Sequence, residues 1–438
     1  MANQAYNRGV ALQAAGRLPE AMQEWQQALS FDATHSDALY NLAIAQLLTK
    51  DENAAEANYL RLLSLQPAHQ QGLYNLANLY KRQNRSAEAA PLYERLTKAH
   101  PAFAPAWINL AMVYSDNNDL DTAEPLLRHA LKLDPQHAVA HWNLSHLLLR
   151  RGQMREALQE YEWRLKLPKW IAPPVAASAW TGDTKPQRIL LWNDQGLGDA
   201  IQFLRYPQLL AAQGHTVYVL VQDHLKKLAG TAPGVTAVGP SDPMPQVDAQ
   251  APLLSLPYLL SLPYPKESWQ GPYLHANYKM DLPRKPGTKA VGIVWAGNQG
   301  HKNDAKRSLQ LRDLKPLFDI PSIDWFGLQV GSASAQIAEN NLQETIHDLS
   351  PRLKDFADTA AAIAALDLVI SVDTSVAHLT GAMGHAGWVM LPAVPEWRWN
   401  SKTSVSEWYP SLHLFKQQTA GDWAGVAAQL ANELTRLD

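Results

Sequence analysis

The stretch LYNLAIAQLLTK at residues 39–50 returns 34 positions later as LYNLANLYKRQN at 73–84, and again as WINLAMVYSDNN at 107–118. Weaker copies flank these three, AYNRGVALQAAG at 5–16 and HWNLSHLLLRRG at 141–152. Asn7, Asn41, Asn75, Asn109 and Asn143 hold one column of this register, and Leu42, Leu76, Leu110 and Leu144 the next. Small residues follow at Gly9, Ala43, Ala77, Ala111 and Ser145, and again at Ala21, Ala55, Ala89, Ala123 and Ala157. Pro67, Pro101 and Pro135 close successive units. Small residues twice per period let two helices cross closely, and a proline, lacking its N–H, stops the second helix. The period predicts about five stacked helix pairs over residues 1–169, with less regular end units acting as caps.

A helix–turn–helix period of 34 is that of tetratricopeptide repeats (TPRs). Such an α-solenoid does no chemistry; it holds a partner on its concave surface. The five asparagines are the candidate acceptor-binding residues, because amides one repeat apart can donate to and accept from an extended peptide. The column resembles the asparagine ladder of eukaryotic O-linked N-acetylglucosamine transferase, which also joins TPRs to a two-lobed transferase. A second reading assigns the same amides to packing between helices.

Bulk composition narrows the function classes. At 438 residues the chain is too long for one core, and 46% hydrophobic with 18% charged residues fits folded domains. A net charge of −3 supplies no basic field, so nucleic acid is not an expected partner. Cysteine is absent, which excludes disulfides, thiolate zinc sites and a thiol nucleophile. The N-terminus lacks a charged-then-apolar leader, and no apolar run reaches the roughly 18 residues of a membrane span. No transmembrane segment and a cytoplasmic location are expected by elimination.

Beyond the repeats, Pro168, Pro173, Pro174 and Pro186 predict a linker over 170–186. An α/β pattern then begins. RILLWN (188–193), the turn DQGLGD, an amphipathic segment and TVYVLV (216–221) form a βαβ unit, with VTAVG (235–239) as the next strand. The proline-rich stretch 240–286 is hard to assign. The alternation restarts at KAVGIVWAG (289–297) and continues through IDWFGLQVG, an Ala-rich helix near 358–366, DLVISVD and GWVMLP to a terminal helix. The expected architecture is a TPR solenoid followed by two facing Rossmann-like lobes, 187–286 and 287–438. Ligands of such sheets bind at the carboxyl ends of the strands.

Three loops lie at those ends. Asp194–Asp199 follows the first strand; its glycines permit a tight turn, and Asp199 is either a reactive carboxylate or a helix cap. Position 201 is Ile, so the G-x-G-x-x-G pattern of dinucleotide sites is incomplete. Asp373-Thr374-Ser375-Val376-Ala377-His378 follows LVISV, and hydroxyls beside a helix start suit a diphosphate, or serve as caps. His378, one turn into the helix, either holds a phosphate oxygen or Asp373, or packs. In the polar loop Asn298–Ser308, Lys302, Lys306 and Arg307 are cationic candidates, solvation being the alternative. The only D-x-D pair, Asp119-Leu120-Asp121, falls in a repeat turn where acids start helices, so no metal is expected.

The segments WNDQGLGDAIQFLRY, VGIVWAGN with KRSLQL, FADTAAAIAALDLVISVDTSVAHLTGAMG and LPAVPEWRWN with WYPSLHLF resemble bacterial TPR proteins. The C-terminal half of those proteins is similar to the ADP-heptose:lipopolysaccharide heptosyltransferases. The resemblance implies an inverting, metal-independent GT-B glycosyltransferase using a nucleotide-sugar donor. Asp199 matches its general base, within the Gly198-Asp199 turn. Asp373, Thr374, Ser375, Val376 and His378 match its nucleotide-sugar cradle, and Arg307, then Lys306, its phosphate cation. Trp397-Arg398-Trp399 belongs to the TPR-linked branch; the rings are candidates for stacking on base or sugar, with Arg398 near phosphate and core packing as the alternative. The expected acceptor is a protein hydroxyl presented by the TPR groove. The alternatives are a glycan or lipid-linked acceptor with the repeats as docking module, or a non-catalytic scaffold.

Overall fold

The computed structural model describes residues 1–168, 174–300, 304–399 and 403–436. Its contacts divide the chain into two compact units, Met1–Leu147 with Trp163–Leu167, and Leu148–Glu162 with Pro168–Asp438. Lys302 and residues 170–173 of the expected linker lie outside the described residues.

The repeat region is a succession of helix pairs: α1 (Ala2–Ala14), α2 (Leu18–Phe31), α3 (Ser36–Leu48), α4 (Glu52–Leu65), α5 (Gln70–Arg82), α6 (Ser86–Ala99), α7 (Ala104–Asp116), α8 (Leu120–Leu133), α9 (Ala138–Arg150) and α10 (Met154–Tyr161). Each pair turns through one left-handed residue, Gly16, Lys50, Asn84, Asn118 or Gly152, with φ between 60° and 75°. Glycine and asparagine adopt that conformation readily, whereas Lys50 holds it against its own Cβ.

Both small columns are buried, Ala43, Ala77, Ala111 and Ser145 in the first and Ala21, Ala55, Ala89, Ala123 and Ala157 in the second. At Gly9 the cause is direct: a Cβ there would come within 2.5 Å of the indole nitrogen of Trp25, itself wholly buried. Leu39, Leu62, Leu73, Leu76, Leu96 and Leu110 join one apolar interior running across successive pairs. Asp51 accepts from the Ala54 N–H at 3.2 Å and Asp119 from the Thr122 N–H at 3.1 Å, capping α4 and α8. Asp119, the first acid of the D-x-D pair, is thus a helix cap.

The second unit carries two sheets. The first has the order β1-β5-β2-β3-β4, with β1 (Ser178–Ala179), β2 (Arg188–Trp192), β3 (Thr216–Leu220), β4 (Val235–Val238) and β5 (Ala249–Pro252). The second has the order β11-β10-β9-β6-β7-β8, with β6 (Lys289–Val294), β7 (Ile323–Gly327), β8 (Ile346–Asp348), β9 (Leu368–Val372), β10 (Gly387–Leu391) and β11 (Leu412–Lys416). All of these strand pairings are parallel. Parallel strands covered on both faces read as unbroken apolar runs, and LVISV of β9 is buried at every position. Val291, Ile293, Trp295, Trp325, Ile370 and Leu430 pack in the core of the second sheet.

The linker expectation needs correcting. Ser178–Ala179 is an edge strand in register with Ala249–Gln250, and the buried Trp180 donates its backbone N–H to the Gln250 carbonyl at 2.8 Å. Pro174 and Pro186 flank this strand without interrupting it, and an edge tolerates such neighbours. Strand β5 likewise emerges from the proline-rich stretch, with Pro252 as its last residue.

Candidate active site

Strand β2 ends at Trp192, and the chain turns into helix α11 (Leu197–Phe203). The Asn193 side chain donates to the Gln195 carbonyl at 2.8 Å and shapes that turn. Asp199, the third residue of the helix, directs Oδ2 back to the Gly196 N–H at 3.0 Å. It therefore stabilises the helix start, as the capping reading has it. Its Oδ1 accepts from the Arg398 guanidinium, 199 residues away in sequence.

Gly198 lets α11 approach the Ser375–Ala382 helix of the second sheet. A Cβ on Gly198 would stand 2.9 Å from His378 Cδ2. His378 is buried, with Nδ1 3.0 Å from the Tyr409 hydroxyl and its ring 5.0 Å from that of Trp399. Burial, with the Arg398, Arg205 and Arg307 charges, holds its pKa well below the usual histidine range. The packing role of His378 is the one its surroundings describe.

Strand β9 delivers Asp373 and Thr374 to the start of the same helix. Thr374 stands at the cap position but makes no cap bond; its hydroxyl meets Ser371 Oγ at 3.0 Å. The start of this helix, at Ser375 and Val376, is therefore without a side-chain cap. The nearby Phe356–Ala364 helix differs, since Asp355 accepts from Ala357 and Asp358 at 2.9 and 3.1 Å. An uncapped helix start presents oriented N–H dipoles.

Beyond β6, Arg307 folds over Gly297, where a Cβ would come within 3.0 Å of its guanidinium. Arg307 is largely buried and lies 3.6 Å from Asp304. Asp304 accepts from Ser308 Oγ at 2.8 Å, and Ser308 Oγ accepts from the Gly297 N–H at 2.8 Å. Lys306 is exposed and takes the solvated-loop reading.

Trp397 and Trp399 are 8% and 2% exposed. Trp397 meets Trp408 edge-on at 5.6 Å, and Trp399 packs near His378 and Tyr409. Both rings thus lie among other aromatic side chains, the arrangement of core packing. Arg398, between them, donates from Nη1 to Glu396 at 2.6 Å, from Nη2 to Asp199 and from Nε to Gln202 Oε1. Its hydrogen-bonding edges are thus turned to protein groups.

Among the described residues, the carboxyls of Asp199, Asp373 and Glu396 share this region with the guanidiniums of Arg205, Arg307 and Arg398. Burial pushes the Glu396 carboxyl up to about 7 against the pull of Arg398, with Asp373 and Asp199 adding to the rise. Burial also raises Asp373, opposed by the Trp399 indole, Arg307 and Arg398. Glu396 and Gln202 were not singled out from sequence. Gln202 stands one helical turn after Asp199, and Glu396 two residues before Arg398; these spacings are the only signals they offer. A third such residue is Arg205, wholly buried, which donates to the Trp408 carbonyl at 3.0 Å. The rings of Trp269, Tyr273, Trp408 and Tyr409 lie 4.9 to 5.4 Å from its guanidinium.

In the repeats, Asn41 donates to the Tyr6 hydroxyl at 3.3 Å, Asn75 to that of Tyr59 at 3.1 Å, and Asn109 to that of Tyr74 at 3.2 Å. Asn109 also donates to Asn78 Oδ1 at 3.0 Å. These amides tie neighbouring helices together, the packing reading of the column. Asn7 is exposed and Asn143 half-buried. Among the described residues, no group of three or more His, Asp or Glu is placed to hold a metal ion, and no helix is long and apolar enough to cross a membrane.

Comparison with known proteins bears first on the repeats. Tetratricopeptide-repeat families match residues 3–27, 36–69, 74–138 and 108–166, and the chain carries these repeats. The protein FlbA of Caulobacter vibrioides is 27% identical over 321 residues, which is 66% of this chain and 53% of FlbA. The match is longer than the repeat region, and the chain spans about half the length of that relative. Among solved structures, MamA from Desulfovibrio magneticus RS-1 is 22% identical over 38% of this chain and 94% of its own, with a TM-score of 0.36. YrrB, described as a TPR protein with an unusual peptide-binding site, is 18% identical over 37% of this chain and 84% of its own, with a TM-score of 0.34.

Proposed function

We propose that the chain is an inverting glycosyltransferase, with its two parallel sheets serving as the Rossmann-like lobes of a GT-B enzyme. The observation that carries this reading is one juxtaposition. Gly198, in the helix that follows β2 of the first sheet, packs against His378 of the helix that follows β9 of the second, and its neighbour Asp199 is near enough to Asp373, before that uncapped helix start, for their charges to interact. A carboxylate and an anion-binding helix start are the two parts that a single displacement from a nucleotide sugar requires.

In that reaction the acceptor hydroxyl oxygen forms a bond to the anomeric carbon as the bond from that carbon to the diphosphate oxygen breaks. The hydroxyl proton passes to Asp199, and the nucleoside diphosphate leaves. The growing negative charge meets the N–H groups at Ser375 and Val376, with the Arg307 and Arg398 guanidiniums near Asp373. The repeats hold the acceptor, a protein, in their groove. The Asn-to-Tyr bonds favour a second reading of the groove, in which the repeats dock a partner and the acceptor is a glycan or lipid-linked saccharide.

Asp199→Asn is the test. It should keep donor binding and reduce transfer by a factor of about 100 or more, the usual weight of a general base. Unimpaired transfer by that variant removes the base assignment. Replacing Asn41, Asn75 and Asn109 together by Ala, with circular dichroism showing the repeats still folded, separates the two acceptors, since a peptide ladder makes protein glycosylation depend on these amides while a docking module does not.

A further inference from the structure

The bonds around Asp199 conflict with its use as a base. Oδ2 is turned to its own helix start at Gly196, so Oδ1 is the oxygen left for an acceptor hydroxyl, and Arg398 holds it. Arg398 is in turn kept in place by three further contacts. Nη1 lies 2.6 Å from Glu396 Oε1, Nε donates to Gln202 Oε1, and the Trp397 ring lies 4.3 Å beneath the guanidinium. Its backbone N–H also donates to Glu396 Oε2 at 2.9 Å. Facing it from elsewhere are the Asp373 carboxyl after β9 and the Tyr161 phenol of α10, and Arg307 after β6 acts with it on Asp373.

We propose that Arg398 is a displaceable bridge: it occupies Asp199 until the diphosphate of a nucleotide draws it away, so that donor binding readies the base for the acceptor. This rests on the transferase reading above. A diphosphate is the fitting competitor because it offers a guanidinium paired anionic oxygens, where Asp199 offers only Oδ1, and carries more charge. Glu396 is the positioning residue of the device. Its carboxylate is two residues from Arg398 on the same short segment, so it accompanies the guanidinium when the Asp199 bond opens. The arrangement imposes an order, nucleotide sugar first and acceptor second.

The consequence is counterintuitive: removing the base charge should improve nucleotide binding, because Asp199 and the diphosphate compete for one arginine. The experiment titrates ADP, GDP, UDP and CDP by calorimetry into the full chain, Asp199→Asn and Arg398→Met, with circular dichroism as the check on folding. Asp199→Asn retains an amide oxygen for the Gly196 N–H. The expected result is roughly ten-fold tighter binding of the preferred diphosphate by Asp199→Asn, equivalent to about 1.4 kcal/mol. Binding should be ten-fold or more weaker in folded Arg398→Met. Damage to the fold weakens binding, so a gain is not a structural artefact. Equal or weaker binding by Asp199→Asn, with the native chain binding normally, overturns the bridge and leaves the transferase reading standing. If no diphosphate binds the native chain or Asp199→Asn, the transferase reading itself falls, and the bridge with it.

Discussion

Gly198→Ala tests the packing on which the whole site rests. A Cβ at this position would stand 2.9 Å from His378 Cδ2 and 3.5 Å from Nε2. Carbon atoms rest about 3.5–4.0 Å apart, so the two groups must separate by roughly 0.6 Å or more. His378 has little room to give: it is buried, bonded to Tyr409 at 3.0 Å and flanked by Trp399. Tyr409 is itself fixed, since a Cβ at Gly381 would come within 2.3 Å of its ring. The strain therefore passes to α11, at an overpacking cost of about 1–3 kcal/mol. Hydrogen exchange read on peptides from α11 and from the Ser375–Ala382 helix should show opening easier by that amount, with the repeat helices unchanged. In a His378→Ala background the added methyl has space, and its cost should fall to near zero. A loss below about 0.5 kcal/mol in the native background, or an equal loss in both, would refute the reasoning.

Glu396 makes stability depend on pH. Its folded-state carboxyl is raised from 4.5 to about 7, so the folded state keeps a proton that the unfolded chain releases, and stability falls as pH rises between those values. Urea midpoints of Glu396→Gln should fall less across that window. Asn75→Ala removes the donor to the Tyr59 hydroxyl, leaving a buried phenol with one partner fewer; a loss of about 1–2 kcal/mol in thermal unfolding is expected. The Tyr59 phenol, already pushed up to about 12 by burial, should move higher still in an ultraviolet titration. Asp119→Ala deletes the α8 cap and should cost about 1 kcal/mol by the same unfolding measurement, leaving any transfer activity intact.

The repeats were legible because their determinants are local and recur. A small residue every 34 positions and the prolines Pro67, Pro101 and Pro135 at successive unit ends are visible in one dimension, whereas the left-handed turn at Lys50 is not. The central strands were legible for a related reason, since burial on both faces of a parallel strand leaves an apolar run such as LVISV. The edge strand Ser178–Ala179 was not, because two residues among prolines carry no period; only pairing with Ala249–Gln250 defines them. The site divides in the same way. Asp199 and Asp373–His378 announce themselves by following strands, whereas Glu396 and Gln202 acquire meaning through Arg398, which ties α11 to a segment almost 200 residues distant. A ring suited to stacking on a ligand is equally suited to a core, so sequence alone does not separate the two uses of Trp397 and Trp399, and in the structure both lie among other rings.

That distance has a consequence in time. The helix pairs of the repeats contact their sequence neighbours, so each can form soon after it leaves the ribosome. In the second unit every strand waits for a parallel partner across a crossover, and β10 does not gain β11 until Lys416 has been made. Asp199 stays unbridged until residue 398 arrives, 199 residues later. During synthesis a finished repeat array thus precedes the Asp199–Arg398 bridge, and the array can fold and be presented before the second unit has closed.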